Sequence, residues 1–260
     1  MILLDPLARP VIGHRGNRAF APENTLPSFL EAVALGADAI EFDLRVARCG
    51  RLVVMHDATL ERTTDGRGEV AAHSAAELER LDAGAMFTRD GGQSFPWRGR
   101  GATVSSFDEV IESLPRDLPL IVELKTPAAA APMRDAVRRH GLAPRIIVAG
   151  FDPAATKPLR GAGFALGASS PDVIALLPRA LLHLHAQPKH VRALCIPTRW
   201  HGLPVPIAAL ARTLRGSGTV VHVWTVNDSA LAQRLWQCGV QGIISDDPAA
   251  MLSARREAGI

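Results

Sequence analysis

The sequence predicts an α/β chain closed into a TIM (β/α)8 barrel with a small insertion after the second βα strand region. Short apolar runs alternate with helix-like stretches from end to end, the pattern of parallel strands joined by crossover helices. The length of 260 residues suits one such barrel, and a hydrophobic fraction of 47% supplies a large core. Charged residues stop several of these runs at their C-terminal ends, where a barrel gathers its functional groups.

In chain order, the strands are expected at 11–16, 39–44, 52–56, 120–125, 146–151, 164–168, 193–197, 220–226 and 242–245. Asn24 or Thr25 opens the first helix, Pro27 and Ser28 occupy its first turn, and Gly36 stops it. Asp152-Pro153, Pro171-Asp172 and Asn227-Asp228-Ser229 open later helices, and Gly141, Gly163, Gly216 and Gly239 close them. Nine strands exceed the eight of a barrel. The run 52–56 is therefore read as the second arm of a hairpin after Arg48-Cys49-Gly50, or as an extension beside a barrel strand. From Asp57 to Glu109 the chain is rich in Gly, Ser, Thr and Arg, with one helix-like piece at 75–81. A loop of that length is usually functional or a small subdomain. The expectation is one domain over 1–260, with 57–109 inserted over the C-terminal rim.

A net charge of +3 and a pI of about 9.1, with no run of Lys or Arg, exclude a nucleic-acid stripe. Arg138-Arg139 is read as a solvated helix face. The mild positive field suits an anionic small molecule. Cys49, Cys195 and Cys238 are far apart and form no CxxC, which argues against a disulfide framework or zinc knuckle and for a reducing compartment. The start, Met1-Ile2-Leu3-Leu4-Asp5-Pro6, has no basic leader before a long apolar stretch, and no apolar run approaches membrane-spanning length. A cytoplasmic protein without stable membrane insertion is expected.

The chemistry concentrates in His14-Arg15, Glu41-Phe42-Asp43, His56-Asp57 and Glu123-Leu124-Lys125. Residues i and i+2 of a strand face the same side, so Glu41 aims with Asp43 and Glu123 with Lys125. Burying unpaired carboxylates is costly, which makes these poor core residues. Glu41, Asp43 and Glu123 are oxygen ligands suited to Mg²⁺ or Ca²⁺; the bland alternative is a structural network with Arg15, Arg45 and Lys125. His14 and His56 suit general base and general acid, because imidazole titrates near neutrality, although a lone strand-end histidine is often structural. Arg15 offers a planar fork for phosphate, or an ion pair with Glu23 or Glu41. Lys125 raises Schiff-base chemistry, but an ion pair with Glu123 would keep it protonated. Trp224 is either packing or an apolar wall for the non-phosphate part of a substrate.

Taken together, Gly13-His14-Arg15-Gly16, Pro22-Glu23-Asn24-Thr25, Glu41-Phe42-Asp43, His56-Asp57, the segment from Thr59 to Gly68 and Val122-Glu123-Leu124-Lys125 resemble the glycerophosphodiester phosphodiesterase family. The segments Val223 to Asp228 and Gly239 to Pro248 resemble its last two strands, so the likeness runs over nearly the whole chain. The resemblance implies a TIM barrel with a small insertion and a divalent cation on Glu41, Asp43 and Glu123. It also implies an acid–base pair at His14 and His56, Arg15 and Lys125 on the phosphate, and Glu23 in support. The implied reaction splits deacylated phospholipid head groups into glycerol 3-phosphate and an alcohol, with water or a glycerol hydroxyl as nucleophile. Departures occur at Ala102 to Phe107, at Gly150-Phe151 and at Cys49-Gly50; they touch the substrate edge and turns, not the metal or acid–base positions. One rival reading is the same barrel acting on lysophospholipids or sphingolipids. That enzyme needs an apolar entry, and Phe87, Phe95, Trp97 and Phe107 are the insertion's only aromatics. The other rival is a non-catalytic phosphate-binding module.

Overall fold

The structure is a computed structural model describing residues 1–260. Eight parallel strands form its wall: β1 (Val11–His14), β2 (Ala39–Val46), β3 (Leu120–Leu124), β4 (Ile146–Ala149), β5 (Ala165–Leu166), β6 (Ala193–Pro197), β7 (Val220–Trp224) and β8 (Gly242–Ser245). They pair in the order β5-β4-β3-β2-β1-β8-β7-β6. A bridge between Gly167 and Ala193 closes the ring, with the Leu166 carbonyl accepting from Arg192 N–H at 2.8 Å. Each strand is followed by a helix: α1 (Leu26–Ala34), α2 (Phe107–Ser113), α3 (Ala130–Arg139), α4 (Pro153–Thr156), α5 (Ser170–Leu181), α6 (Ile207–Thr213), α7 (Ser229–Gln237) and α8 (Pro248–Glu257).

The strands are buried on both faces, which is why they read as unbroken apolar runs. Ile12, Ala39, Ile121, Ile147, Ala193, Val220 and Ile244 fill the interior, and Leu3 of the turn Ile2–Leu4 packs with them. The residues two positions onward, His14, Glu41 and Glu123, share that inward face and rise to the mouth. Register sets their order around it: His14 pairs with Glu41, and Asp43 with Glu123. Outside the wall, Phe29, Phe42 and Phe107 stack at centroid distances of 5.3 and 6.1 Å and bind α1 and α2 to β2.

Thr25 caps α1, accepting from Ser28 N–H, and Gly36 at φ 89° ends that helix. Ser169, two residues before Pro171-Asp172, caps α5 through a capping box with Asp172. Several strands are shorter than expected. β1 stops at His14 because Arg15 and Gly16 turn to φ 53° and 92°. A Cβ on Gly13 would lie 2.7 Å from the Gly16 carbonyl oxygen, so the tight turn needs glycine there. The run 52–56 forms only Leu52–Val54, and it pairs antiparallel to β2 (Leu44 with Val54, Val46 with Leu52). The hairpin alternative is thus the one observed, and the ninth strand is no part of the parallel wall. His56 accordingly reaches the mouth from just past this hairpin arm rather than from a barrel strand. Between 57 and 109, the helix expected at 75–81 is only Ala75–Leu78, capped by Ser74 and Glu77, and its Leu78 packs with Leu60, Val70 and Val104. No helix is long and apolar enough to cross a membrane.

His222 is fully buried on β7, its Nε2–H donating to the Leu3 carbonyl at 2.9 Å while Nδ1 has no partner. Burial pushes its imidazole down to about 4, against the opposing pull of the Leu3 carbonyl. The unfolded chain, titrating near 6.5, then binds more protons than the folded one between those values. Stability from this residue is full above about pH 6.5, falls as the pH drops to about 4, and changes no further below. The loss is about 3 kcal/mol. Denaturant unfolding of His222→Gln, which keeps a donor toward Leu3 but does not titrate, is expected to lack this slope; identical slopes in the two proteins would contradict the assignment.

Candidate active site

From β2 and the end of β3 the chain brings three carboxylates to one point. Oxygen atoms of Glu41, Asp43 and Glu123 lie within 4.8 Å of one another. Two cations stand among them. Lys125 Nζ is 2.6 Å from Glu123 Oε1 and 3.0 Å from Asp43 Oδ1, and Arg15 Nε is 3.0 Å from Asp43 Oδ2. Asn24 fixes Asp43 from the other side, its amide donating to Oδ2 at 2.9 Å and its carbonyl accepting from Asp43 N–H at 3.2 Å. Arg45, a candidate partner for the carboxylates, instead donates to the His56 carbonyl at 2.8 Å.

The electrostatics separate the three acids. Burial would lift Asp43, but the charges of Lys125 and Arg15 outweigh it and hold it below the usual carboxylate range. Burial and the Asp43 charge push Glu123 up to about 6, with Lys125 opposing. Glu41 is raised furthest, by burial and then by Asp43. Its side chain accepts from the Arg15 backbone N–H at 3.2 Å, and the nearest side-chain cationic partner is His14 Nε2 at 4.0 Å. Burial would lower Lys125, but Asp43 and Glu123 raise it, so the amine stays protonated and unfit for Schiff-base formation.

Each histidine is held by a carboxylate. His14 Nδ1 lies 2.6 Å from Asp246 Oδ1, and His56 Nδ1 lies 2.6 Å from Asp57 Oδ1. A proton shared at Nδ1 leaves each Nε2 available for proton transfer. His56 is lowered by burial, against the charge of Asp43. Asp57 is fixed by Arg62 in addition to His56.

Arg15 is oriented by Glu23, whose Oε1 accepts from its Nη1 at 2.7 Å. Arg18 and Arg62 bond the same carboxylate. Burial would raise Glu23, but Arg62, Arg15 and Arg18 together hold it far below the usual range. Glu23 thus sits behind Arg15, engaged by three guanidiniums. The cavity bounded by His14, Arg15, Glu41, His56, Glu123 and Lys125 measures about 70 Å³, and Phe151 and Trp224 wall its apolar side at a centroid distance of 5.7 Å. A polar recess of about 550 Å³, with Arg18, Glu23, Arg62 and Arg89 in its lining, lies beyond Glu23.

All nine residues singled out from the sequence thus sit at or immediately behind the mouth. Asp246, Arg62 and Asn24 join the site although the sequence reading gives none of them a site role; all three fall inside the segments that carry the family resemblance. Asp246 directly follows β8, so the strand-end rule that found Glu41 could have found it.

A barrel mouth that gathers two cations, three carboxylates and two imidazoles has the groups that phosphodiester hydrolysis needs. Residues 14–250 match the sequence model of the glycerophosphoryl diester phosphodiesterase family. The chain belongs to that family and hydrolyses glycerophosphodiesters. It is 29% identical to the glycerophosphodiester phosphodiesterase of Caldanaerobacter subterraneus, over 96% of this chain and 98% of that one. It is 27% identical to that of Bacillus subtilis, over 95% and 86%. Among solved structures, the glycerophosphoryl diester phosphodiesterase domain of an uncharacterized Mycobacterium tuberculosis protein shares the fold with a TM-score of 0.83 at 22% identity, over 96% and 99% of the two chains. An Oleispira antarctica phosphodiesterase in complex with the product sn-glycerol-3-phosphate superposes with a TM-score of 0.75 at 26% identity, over 96% and 97%.

Proposed function

We propose that this mouth releases glycerol 3-phosphate and an alcohol from glycerophosphodiesters with the help of a divalent cation, Mg²⁺ or Ca²⁺, on Glu41, Asp43 and Glu123. The observation that carries the cation is Glu41. It is a buried carboxylate with no Lys or Arg side chain bonded to it, beside two acids that do have one. An all-oxygen donor set within 4.8 Å fits a hard cation. Such an ion supplies Lewis-acid stabilisation of the charge that builds on phosphoryl oxygens.

The chain's own groups do the rest. Arg15, braced by Glu23, and Lys125 hold the phosphodiester and offset its charge. His14 takes the proton of the nucleophile at Nε2, and His56 delivers one to the departing alkoxide. Asp246 and Asp57 keep both rings in the required tautomer and stabilise them when protonated. Trp224 and Phe151 wall the side where the glycerol carbons lie. The product complex of the Oleispira relative supports glycerol 3-phosphate as the product here.

The segment 57–109 is read as a cover on the barrel's rim. Arg62 reaches Glu23, and Trp97 Nε1–H donates to the Phe20 carbonyl at 3.0 Å. The three unpaired thiols of Cys49, Cys195 and Cys238 support the cytoplasm as compartment. The direct test is incubation with glycerophosphocholine and glycerophosphoethanolamine, coupled to enzymatic detection of glycerol 3-phosphate. Glycerol 3-phosphate and the free alcohol are expected from both; release of a phosphorylated alcohol, or no turnover, would refute the reading.

A further inference from the structure

From Val173 to Asn227 the chain carries no Asp or Glu, although acids number 26 in its 260 residues. The same stretch carries Arg179, Lys189, Arg192, Arg199, Arg212 and Arg215. All six are exposed, and no carboxylate pairs with any of them. Asp172, the acid just before the stretch, is occupied by the Ser169 hydroxyl at 2.5 Å and by Arg160 at 3.7 Å. Protein surfaces ordinarily intersperse charges of both signs. One flank of this barrel therefore has a positive field with nothing to offset it.

Apolar side chains break the surface in the same stretch. Leu181, Leu182 and Leu184, at the end of α5, are 66%, 69% and 48% exposed. The helix closes on His183, which sits in the left-handed region at φ 56°. Its N–H donates to the Ala180 carbonyl at 3.3 Å, and Leu184 N–H donates to the Arg179 carbonyl at 2.8 Å. In such a closure the residue after the turn ordinarily packs on an apolar partner in the last helical turn. Here the partner position is Arg179, and Leu184 stays in water. His183 and His185, interleaved with these leucines, line a polar hollow of about 220 Å³ together with Arg212 and Arg215 from the end of α6. The loop is fixed there, with Ala186 N–H donating to the Thr213 carbonyl at 2.9 Å. Both helices run back from the rim, so this patch lies at the end of the barrel opposite the mouth.

Exposed leucines ringed by unpaired cations are the makeup of a surface that seats on anionic lipid. We infer that this end of the barrel docks reversibly on an anionic phospholipid bilayer. Lipid phosphates lie among Arg212, Arg215 and their histidine neighbours, and the leucines lie between head groups. A second copy of the chain fits badly, because a two-fold contact sets the same cations against each other. A nucleic acid would leave the leucines unused. No helix is long and apolar enough to span, so contact is made at the surface, and the mouth stays open to water.

The test is co-sedimentation of the intact protein with vesicles of phosphatidylcholine, alone or with about one-third phosphatidylglycerol. Binding is expected to the anionic vesicles only. It should weaken as salt rises from about 0.1 M to about 1 M and the screening length falls from roughly 10 Å to roughly 3 Å. Arg212→Gln/Arg215→Gln is expected to lose about ten- to thirtyfold in affinity, at roughly fivefold per charge. Leu181→Ser/Leu182→Ser keeps every charge and is expected to lose at least about tenfold. Both variants alter exposed positions, and an unchanged thermal melt checks their fold without recourse to the hydrolysis proposed above. Equal binding to neutral vesicles, no binding to anionic ones, or full binding by the arginine variant would overturn the inference. Loss in the arginine variant with none in the leucine variant would reduce the patch to a site for soluble polyanions and overturn it too. Self-association in solution that either variant abolishes would assign the patch to a second copy, with the same consequence.

Discussion

Glu41→Gln is expected to lower release of glycerol 3-phosphate from glycerophosphocholine by at least about a thousandfold, the several kcal/mol that a bound cation contributes to a charged transition state. The exchange keeps size and shape and removes one charge. Glu41 is 6% exposed, its carboxylate has no Lys or Arg bonded to it, and Asp43 repels it. Removing that charge relieves the fold, so the melting temperature should hold or rise while activity disappears. A merely structural carboxylate would give the opposite pattern, lost stability with activity per folded molecule retained. Undiminished turnover by this variant would refute the ligand role.

The second large effect belongs to the imidazoles. His14→Ala and His56→Ala are each expected to lose about a hundred- to ten-thousandfold in kcat, the usual range for a general base or acid. A glycerophosphodiester with a nitrophenol leaving group tells the two apart, because such a group departs without protonation. On that substrate His56→Ala should recover most of its rate and His14→Ala should not. Recovery by His14→Ala instead would exchange the roles, and full activity of either variant on the natural diester would remove that residue from the reaction. Asp246→Asn and Asp57→Asn should each lose part of what the matching alanine variant loses, since the ring remains but its tautomer is no longer enforced.

Much of this site was legible because its parts are local. The i, i+2 pairs of β2 and β3 follow from strand geometry alone, and Asp57 neighbours His56 in sequence. What stayed hidden depends on closure of the ring. Asp246 is 232 residues from His14, and only the β1–β8 pairing, with Gly13 beside Ser245, brings them together. The grip of Arg62 on Glu23 depends on how a long irregular segment folds back over 39 residues, which no periodicity encodes. Strand limits were overrun at β4 and β7 because apolar or small residues, Gly150-Phe151 and Thr225-Val226, continue past the last ladder bond. Only the strand count sets the hairpin arm Leu52–Val54 apart in sequence, because its three residues are all buried and read as one more apolar run.

The proposed dependence of hydrolysis on a divalent cation held by Glu41, Asp43 and Glu123 can be isolated experimentally. It is tested most directly by stripping the protein with excess chelator and titrating single cations back while glycerol 3-phosphate release from glycerophosphocholine is followed. No turnover in chelator and saturable recovery with Mg²⁺ or Ca²⁺, absent in Glu41→Gln, are the expected results. Full turnover in excess chelator would contradict it.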